Sequence, residues 1–371
     1  MRIKYDYQIF TAQKYGGISK YFYYLAMELN KLEVKADIIS LLYINELIRT
    51  KDYVLGFKIN SKSRIIIRLL KYINMIIDHL FIKSSHYDIL HKTYYSVISG
   101  SSSTKSSKNV ITVYDMTHEI YPNFFKDSKH VSSKKLKACI IADKIICISH
   151  STKKDLINQF NIHENKISVI HLGVDSNIFK KIDNQTEYEN NYGNYILYVG
   201  QRYGYKNFSY LFDTYMNSEI INNNYNLVLF GGEKLSKYEN ELIKRKNLKK
   251  KIFFISGSDQ LLSYLYNHAH VLVYTSLYEG FGLPVLEAMS SGCPVIAFNG
   301  SSIPEVAGDA CILMNNMNSK SELSSNIIKL GSDKNFRKTL VDKGIIQAKK
   351  FTWENCAKKT LDVYMNAVEK L

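Results

Sequence analysis

Two carboxylates, Glu279 and Glu287, stand eight positions apart, and between them runs Gly280-Phe281-Gly282-Leu283-Pro284. The two glycines let the backbone come close to a ligand, and the free N–H groups at the start of a helix near Pro284 attract an anion such as phosphate. A carboxylate beside that nest would repel the phosphate unless it served another part of the ligand. Each glutamate is therefore expected to accept hydrogen bonds from sugar hydroxyls. A phosphate with a sugar on each side is a nucleotide sugar. The plainer alternative is that both are solvated acids near a helix N-terminus, where they gain about 0.3–1 kcal/mol.

The elements that must position these groups follow from the flanking residues. "VLVYTS" (271–276) reads as a strand, "LYEGFGL" as its exit loop and "PVLEAMSS" as a helix, with Pro284 suited to its first position. Gly292 ends the helix, and Cys293-Pro294 leads into the next strand. Glu279 is thus expected on a loop and Glu287 in the first helical turn. The same grammar recurs in "ADIISLL", "YDILHKTYY", "NVITVY", "KIICIS" and "ISVIHLGV", then in "YILYVG", "NLVLFG", "KIFFIS", "PVIAF" and "ACILM". Strands apolar on both faces and separated by helices indicate parallel sheets covered on both sides. Two such series imply two doubly wound domains, 1–180 and 195–354, joined by the polar stretch 181–194. Ligands of such sheets bind outside the carboxyl ends of the strands, so the expected site is a cleft between the domains.

The 371-residue chain carries a formal net charge of +15. Residues 1–180 hold 27 Lys+Arg against 15 Asp+Glu, and residues 181–371 hold 22 against 19, so the excess is +12 in the first half and +3 in the second. No basic run exceeds three residues, as in "KKK" at 249–251, without the interleaved aromatics of a nucleic-acid binder, and nucleic acid is not expected as a partner. The five cysteines show no C-x-x-C spacing, which argues for buried thiols in a reducing compartment and against a zinc or disulfide framework. No apolar run has signal-peptide or membrane-spanning length, so the chain is expected to be cytoplasmic.

"EGFGLPVLEAMSSGCPVI" followed by "SSIPEVAGDA" resembles the E-x7-E signature of the retaining glycosyltransferases of family 4, which have the GT-B fold. The resemblance implies two Rossmann-like, doubly wound α/β domains facing across a cleft. It assigns Glu279 to the transferred sugar, Glu287 to the ribose of the nucleotide, and the backbone of Gly280, Phe281, Gly282 and Leu283 to phosphate and sugar oxygens. "YILYVGQRYGYKN" (195–207) resembles the start of the family's donor domain, which makes Arg202 and Lys206 its diphosphate ligands. Two fixed cations offset the charge of a leaving nucleoside diphosphate without a metal, and the chain has no Asp-x-Asp pair, so no metal and no cofactor is expected. "YDYQIFTAQKYGGISKYFYYLAMELNKL" resembles the glycine loop of the first domain, with Gly16 and Gly17 approaching the donor ahead of an amphipathic helix. "NVITVYDMTHEIYP" departs from the family. Tyr114 stands where many relatives have His, with Asp115 next and His118 three residues beyond. Either Tyr114 bonds the donor sugar or His118 reaches the site, and Asp115 orients that group or the acceptor; His118 packing against Tyr121, Phe124 and Phe125 is the structural alternative. "ADKIICISHSTKKDLINQF" and "VIHLGVD" resemble the end of the first domain. "FTWENCAKKTLDVY" resembles the closing helix, here 355–371, expected to pack back toward the N-terminal domain.

In "SKSRIIIRLLKYINMIIDHLF" (61–81), Arg64, Arg68, Lys71, Asn74 and Asp78 make one polar stripe on a helix otherwise filled with Ile, Leu, Met and Phe. A buried crossover helix is the favoured expectation, and an interfacial helix on anionic lipid the alternative. The whole points to transfer of a hexose from GDP-mannose or a UDP-hexose to a saccharide or polyprenyl-linked acceptor in bacterial O-antigen, capsule or exopolysaccharide synthesis, with peripheral binding at the inner membrane face. The other functions considered are a GT-B-fold sugar-nucleotide epimerase or synthase and a non-catalytic binder of anionic glycan or nucleic acid.

Overall fold

A computed structural model describes the chain except residues 49–51, 62, 85, 96–106, 183–190, 317–318 and 370–371, with the side chains of 79–84 also left aside. Most of the stretch 181–194 lies outside the described residues. The chain divides into two compact units: Met1–Gly173 with Thr352–Leu371, and Val174–Phe351.

The first unit holds a seven-stranded parallel sheet of β1 (Arg2–Tyr5), β2 (Lys35–Tyr43), β3 (Val54–Lys58), β4 (Ile89–Lys92), β5 (Lys108–Val113), β6 (Lys144–Cys147) and β7 (Ile167–Val169), in the order β3-β2-β1-β4-β5-β6-β7. The second holds six parallel strands, β8 (Tyr195–Val199), β9 (Asn226–Phe230), β10 (Ile252–Ile255), β11 (Val271–Tyr274), β12 (Val295–Phe298) and β13 (Ile312–Met314), in the order β10-β9-β8-β11-β12-β13. Eleven of these strands coincide with the apolar runs of the sequence. β11 is buried along its whole length, as a parallel strand covered by helices on both faces requires.

β1 and β3 escape the sequence pattern. β1 is central, pairing with both β2 and β4, yet carries Lys4, whose charge is met inside the fold by Asp78 at 2.6 Å. β3 is the edge strand and leaves Leu55 and Phe57 exposed.

The terminal helix Trp353–Val368 belongs to the first unit and packs on the helix Gly17–Lys31, where Trp353 stacks on Tyr24 with ring centroids 4.9 Å apart. Further along, the Tyr364 hydroxyl bonds Nδ1 of His91 on β4, whose Nε2 meets Thr112 Oγ1 of β5 at 2.8 Å. All five cysteines are buried, and burial pushes the Cys356 and Cys293 thiols up to about 12.

His91 makes this packing pH-sensitive. Burial lowers its pKa to about 3, against 6.5 for an exposed imidazole. The unfolded chain therefore binds a proton that the folded chain refuses, so stability is full above pH 6.5 and falls as pH drops toward 3. Denaturant midpoints should show a loss of about 2 kcal/mol from this group by about pH 5, and His91→Gln should flatten that slope whatever its effect at neutral pH.

Candidate functional site

In the second unit the strand order reverses between β8 and β11, and the loops leaving these two strands diverge at the point where open α/β sheets hold ligands. The loop from β8 makes a tight turn at Gly204–Lys206. The loop from β11 carries Glu279, and Lys206 Nζ meets Glu279 Oε1 at 2.5 Å, the two side chains being 19% and 12% exposed. Backbone fastens the same pair of loops, with Leu277 N donating to Tyr205 O at 2.8 Å and Thr275 Oγ1 to Lys206 O at 2.9 Å. On the other side, Ser301 Oγ accepts from Glu279 N at 2.8 Å and Ser302 Oγ donates to Glu279 O at 2.9 Å. Ser301 adopts the left-handed conformation (φ 48) to do so, an uncommon one for a residue with a side chain. Burial, then the neighbouring Glu279 carboxylate, drives the Tyr274 phenol well above its ordinary value. Glu279 is thus fixed at main chain and side chain at once. The Lys206 pairing and the two serines are the parts of the site that sequence reasoning missed; "SSIPEVAGDA" was the available signal.

Arg202 lies on the same β8 loop. Its Nη1 donates to Gly231 O at 2.7 Å at the end of β9, and its guanidinium lies 4.6 Å from the centroid of the Phe254 ring. Nη2 is shielded from solvent and has no hydrogen-bond partner among the described residues, while burial lowers the guanidinium's pKa. Close approach of the two loops depends on glycine. Gly232 sits at φ 68, and a Cβ there would lie 2.4 Å from Gly200 O. The "GG" closing "NLVLFGG" was the sequence signal for this contact.

Glu287 lies on the helix Leu283–Ser290, entered through Gly282 at φ 102. Pro284 takes the second helical position and Glu287 falls in the second turn, a correction to the first-turn placement. The sequence positions of Gly282 and Leu283 start the helix one residue earlier than Pro284 suggests. Glu287 is buried, and Oε2 accepts a hydrogen bond of 3.4 Å from the Tyr266 hydroxyl on the helix Asp259–His268. Gly280 and Phe281 are also buried.

The first unit has its own reversal, between β1 and β4. Asp6, just past β1, bridges it, accepting from Thr93 N at 3.0 Å and Thr93 Oγ1 at 2.6 Å. Gly16 caps the helix Gly17–Lys31, its carbonyl accepting from Ser19 Oγ at 3.0 Å, and Gly17 is exposed at the helix start. Asp115 follows β5 and accepts from Thr117 N at 3.0 Å. Burial alone would raise its pKa, but the charge of Lys135, the Thr117 hydrogen bonds and His118 hold it below the usual carboxylate range. Lys135 is itself enclosed, donating to Asp115 O at 2.8 Å and pairing with Glu119 at 2.7 Å. Tyr114 is 6% exposed, and its hydroxyl donates to Thr93 O at 2.9 Å. His118 stays half-buried against Phe125, with ring centroids 4.2 Å apart.

Comparison with known proteins identifies the family. The family model "Glycosyltransferase Family 4" matches residues 15–177, and "Glycosyl transferases group 1" matches residues 179–347. O-antigen chain mannosyltransferase B of Escherichia coli is 31% identical over 271 residues, 69% of each chain. The chain is a family 4, group 1 glycosyltransferase. Another relative of this glycosyltransferase is an O-antigen chain mannosyltransferase of Salmonella typhimurium, 29% identical over 57% of this chain and 58% of the relative. Its fold is GT-B. A sucrose-phosphate synthase from Thermosynechococcus elongatus superposes with a TM-score of 0.76 at 18% identity over 98% of each chain. Anabaena HepE in complex with UDP and glucose does so at 0.73 and 17% identity, over 98% of this chain and 99% of that one.

In this glycosyltransferase the contact of Gly232 with Gly200 admits no side chain. Gly232→Ala should cost about 1–3 kcal/mol of stability in the second unit from the left-handed backbone alone. Hydrogen exchange at β8 and β9 measures it, and an unchanged exchange pattern would refute the packing argument.

Proposed function

We propose that this glycosyltransferase transfers a hexose, with retention of anomeric configuration and without a metal, from a nucleoside-diphosphate donor to a saccharide or polyprenyl-linked saccharide. The named relatives are O-antigen chain mannosyltransferases, which supports mannose as the sugar and O-antigen or a related surface polysaccharide as the product; GDP-mannose is proposed as donor ahead of a UDP-hexose. The observation that carries the reading is the Lys206–Glu279 pair at the β8/β11 reversal, with a shielded Arg202 Nη2 on the same loop.

Arg202 and Lys206 supply positive charge to the diphosphate, and charge-assisted donors are the strong ones. The carboxylate of Glu279 neutralises Lys206 between turnovers and orients the transferred sugar, while Glu287, held by Tyr266, receives the ribose hydroxyls. Reaction breaks the bond from the anomeric carbon to the β-phosphate oxygen. The new glycosidic bond forms on the same face, and the departing phosphate oxygen takes the acceptor's proton. Asp115, kept ionised by Lys135, is assigned with His118 to the acceptor side.

Incubation with a panel of GDP-mannose, UDP-glucose and UDP-galactose should release nucleoside diphosphate slowly without acceptor, fastest from GDP-mannose, and EDTA should leave the rate unchanged. Absence of release from every donor, with no thermal shift by GDP or UDP, would overturn the reading; chelator loss restored by manganese would overturn its metal-free part. Glu279→Ala should lower turnover by about 10²-fold with the fold intact. Arg202→Ala should weaken nucleoside diphosphate binding by about 1.5–3 kcal/mol, read by calorimetry.

A further inference from the structure

The helix Arg64–Ser84 crosses from β3 to β4 and turns Asn74 and Asp78 of its polar stripe inward while Arg64, Arg68 and Lys71 stay exposed, which corrects the expectation of a buried crossover helix. Its buried positions are Leu70, Asn74 and Asp78. Asn74 Nδ2 donates to Leu42 O of β2 at 2.7 Å and Asn74 Oδ1 accepts from Leu42 N at 3.3 Å. Asp78 pairs with Lys4 of β1 at 2.6 Å, with the two side chains 3% and 2% exposed. These contacts fix the roll of the helix. Turning it to bury other residues would leave the Lys4 ammonium unpaired inside the fold.

With the roll fixed, Ile65, Leu69, Tyr72 and Ile76 point to solvent, 78%, 56%, 58% and 45% exposed. Their spacing of four, three and four places them in a single outward stripe. Exposed Arg64, Arg68 and Lys71 run along one margin of it. Desolvation, then the charge of Lys134 on the helix Ser128–Ile141, holds Lys71 below the ordinary lysine range, so a second element brings a cation to the same margin. An apolar stripe edged by cations is the reverse of a core helix.

Charge decides what covers it. A second copy offers this face only the same cations and no anionic surface to complement them. A lipid surface offers acyl chains to the stripe and phosphates to the margin, and the +12 excess of residues 1–180 adds long-range attraction to it. We propose that this face of the first unit seats on an anionic phospholipid bilayer, with Ile65, Leu69, Tyr72 and Ile76 among the outer acyl segments and Arg64, Arg68, Lys71 and Lys134 at the phosphates. Among the described residues no helix is long and apolar enough to cross a membrane, so the helix lies in one leaflet. The inference rests on this surface alone and stands apart from the transferase reading.

The full chain, mixed with vesicles of phosphatidylcholine alone or with about 30% phosphatidylglycerol, should sediment with the anionic vesicles at low salt and be released by about 0.5 M NaCl. The double variant Leu69→Glu/Ile76→Glu should lower vesicle affinity by more than about tenfold, with melting temperature and GDP or UDP affinity unchanged, because the replaced side chains are exposed. Arg64→Gln/Arg68→Gln/Lys71→Gln should also lower it. Equal sedimentation with neutral and anionic vesicles, sedimentation with neither, or full binding by Leu69→Glu/Ile76→Glu would overturn the proposal. So would a dimer, seen by sedimentation velocity, that the double variant dissolves while the parent chain ignores vesicles. Nucleotide affinity of the unmodified chain, measured in parallel, tests the transferase reading separately.

Discussion

A parallel sheet whose strand order reverses leaves a gap at the reversal, because the two loops leaving the adjacent central strands run to opposite sides. No ladder hydrogen bond closes that gap, and side chains must. In the second unit Lys206 and Glu279 do so, and in the first Asp6 and Thr93 do so. The same opening that admits a ligand is thereby spanned by a polar bridge whose groups a ligand can engage. Around the Lys206–Glu279 bridge the rest is support: Thr275 and Leu277 tie the β8 loop down, and Ser301 and Ser302 hold the Glu279 main chain from the β12 side.

The helix Arg64–Ser84 follows from another constraint on a central strand. β1 carries Lys4 with neighbours on both sides, and a buried ammonium needs an anion within reach. Asp78 supplies it, Asn74 pins the helix to Leu42, and these two inward polar groups turn the isoleucines out. A surface that looks like a packing fault is the geometric consequence of satisfying one charge in the sheet.

Much of this architecture was legible in the residues. The strands that read as unbroken apolar runs were visible because burial on both faces demands such runs, whereas β1 hides behind Arg2 and Lys4, and β3, as an edge strand with Gly56 inside it, has no apolar pattern to show. The stripe through Arg64, Arg68, Lys71, Asn74 and Asp78 was visible as a period but not as a direction. Which of its members face inward depends on Lys4, some seventy residues away. Likewise Glu279 and Lys206 were each visible as charged residues beside glycine loops, but their contact spans 73 positions and follows from which strands are neighbours. The hydrogen bond from the Tyr114 hydroxyl to Thr93 O was also not legible, since it links the segments after β5 and β4.

The first unit is assembled from two separated parts of the chain, with Trp353 stacked on Tyr24 and Tyr364 bonded to His91. Translation delivers these pieces in a fixed order. Residues 1–173 leave the ribosome first yet lack the helix that covers Tyr24 and His91, while 174–351 follow as a uniform stretch with its whole sheet and core in hand. The unit made second is therefore the one able to fold first, and the earlier one must wait, part of its aromatic interior open, until the last helix emerges. That interval is when chaperones would meet this chain, and a truncation that removes only the final helix would extend it indefinitely.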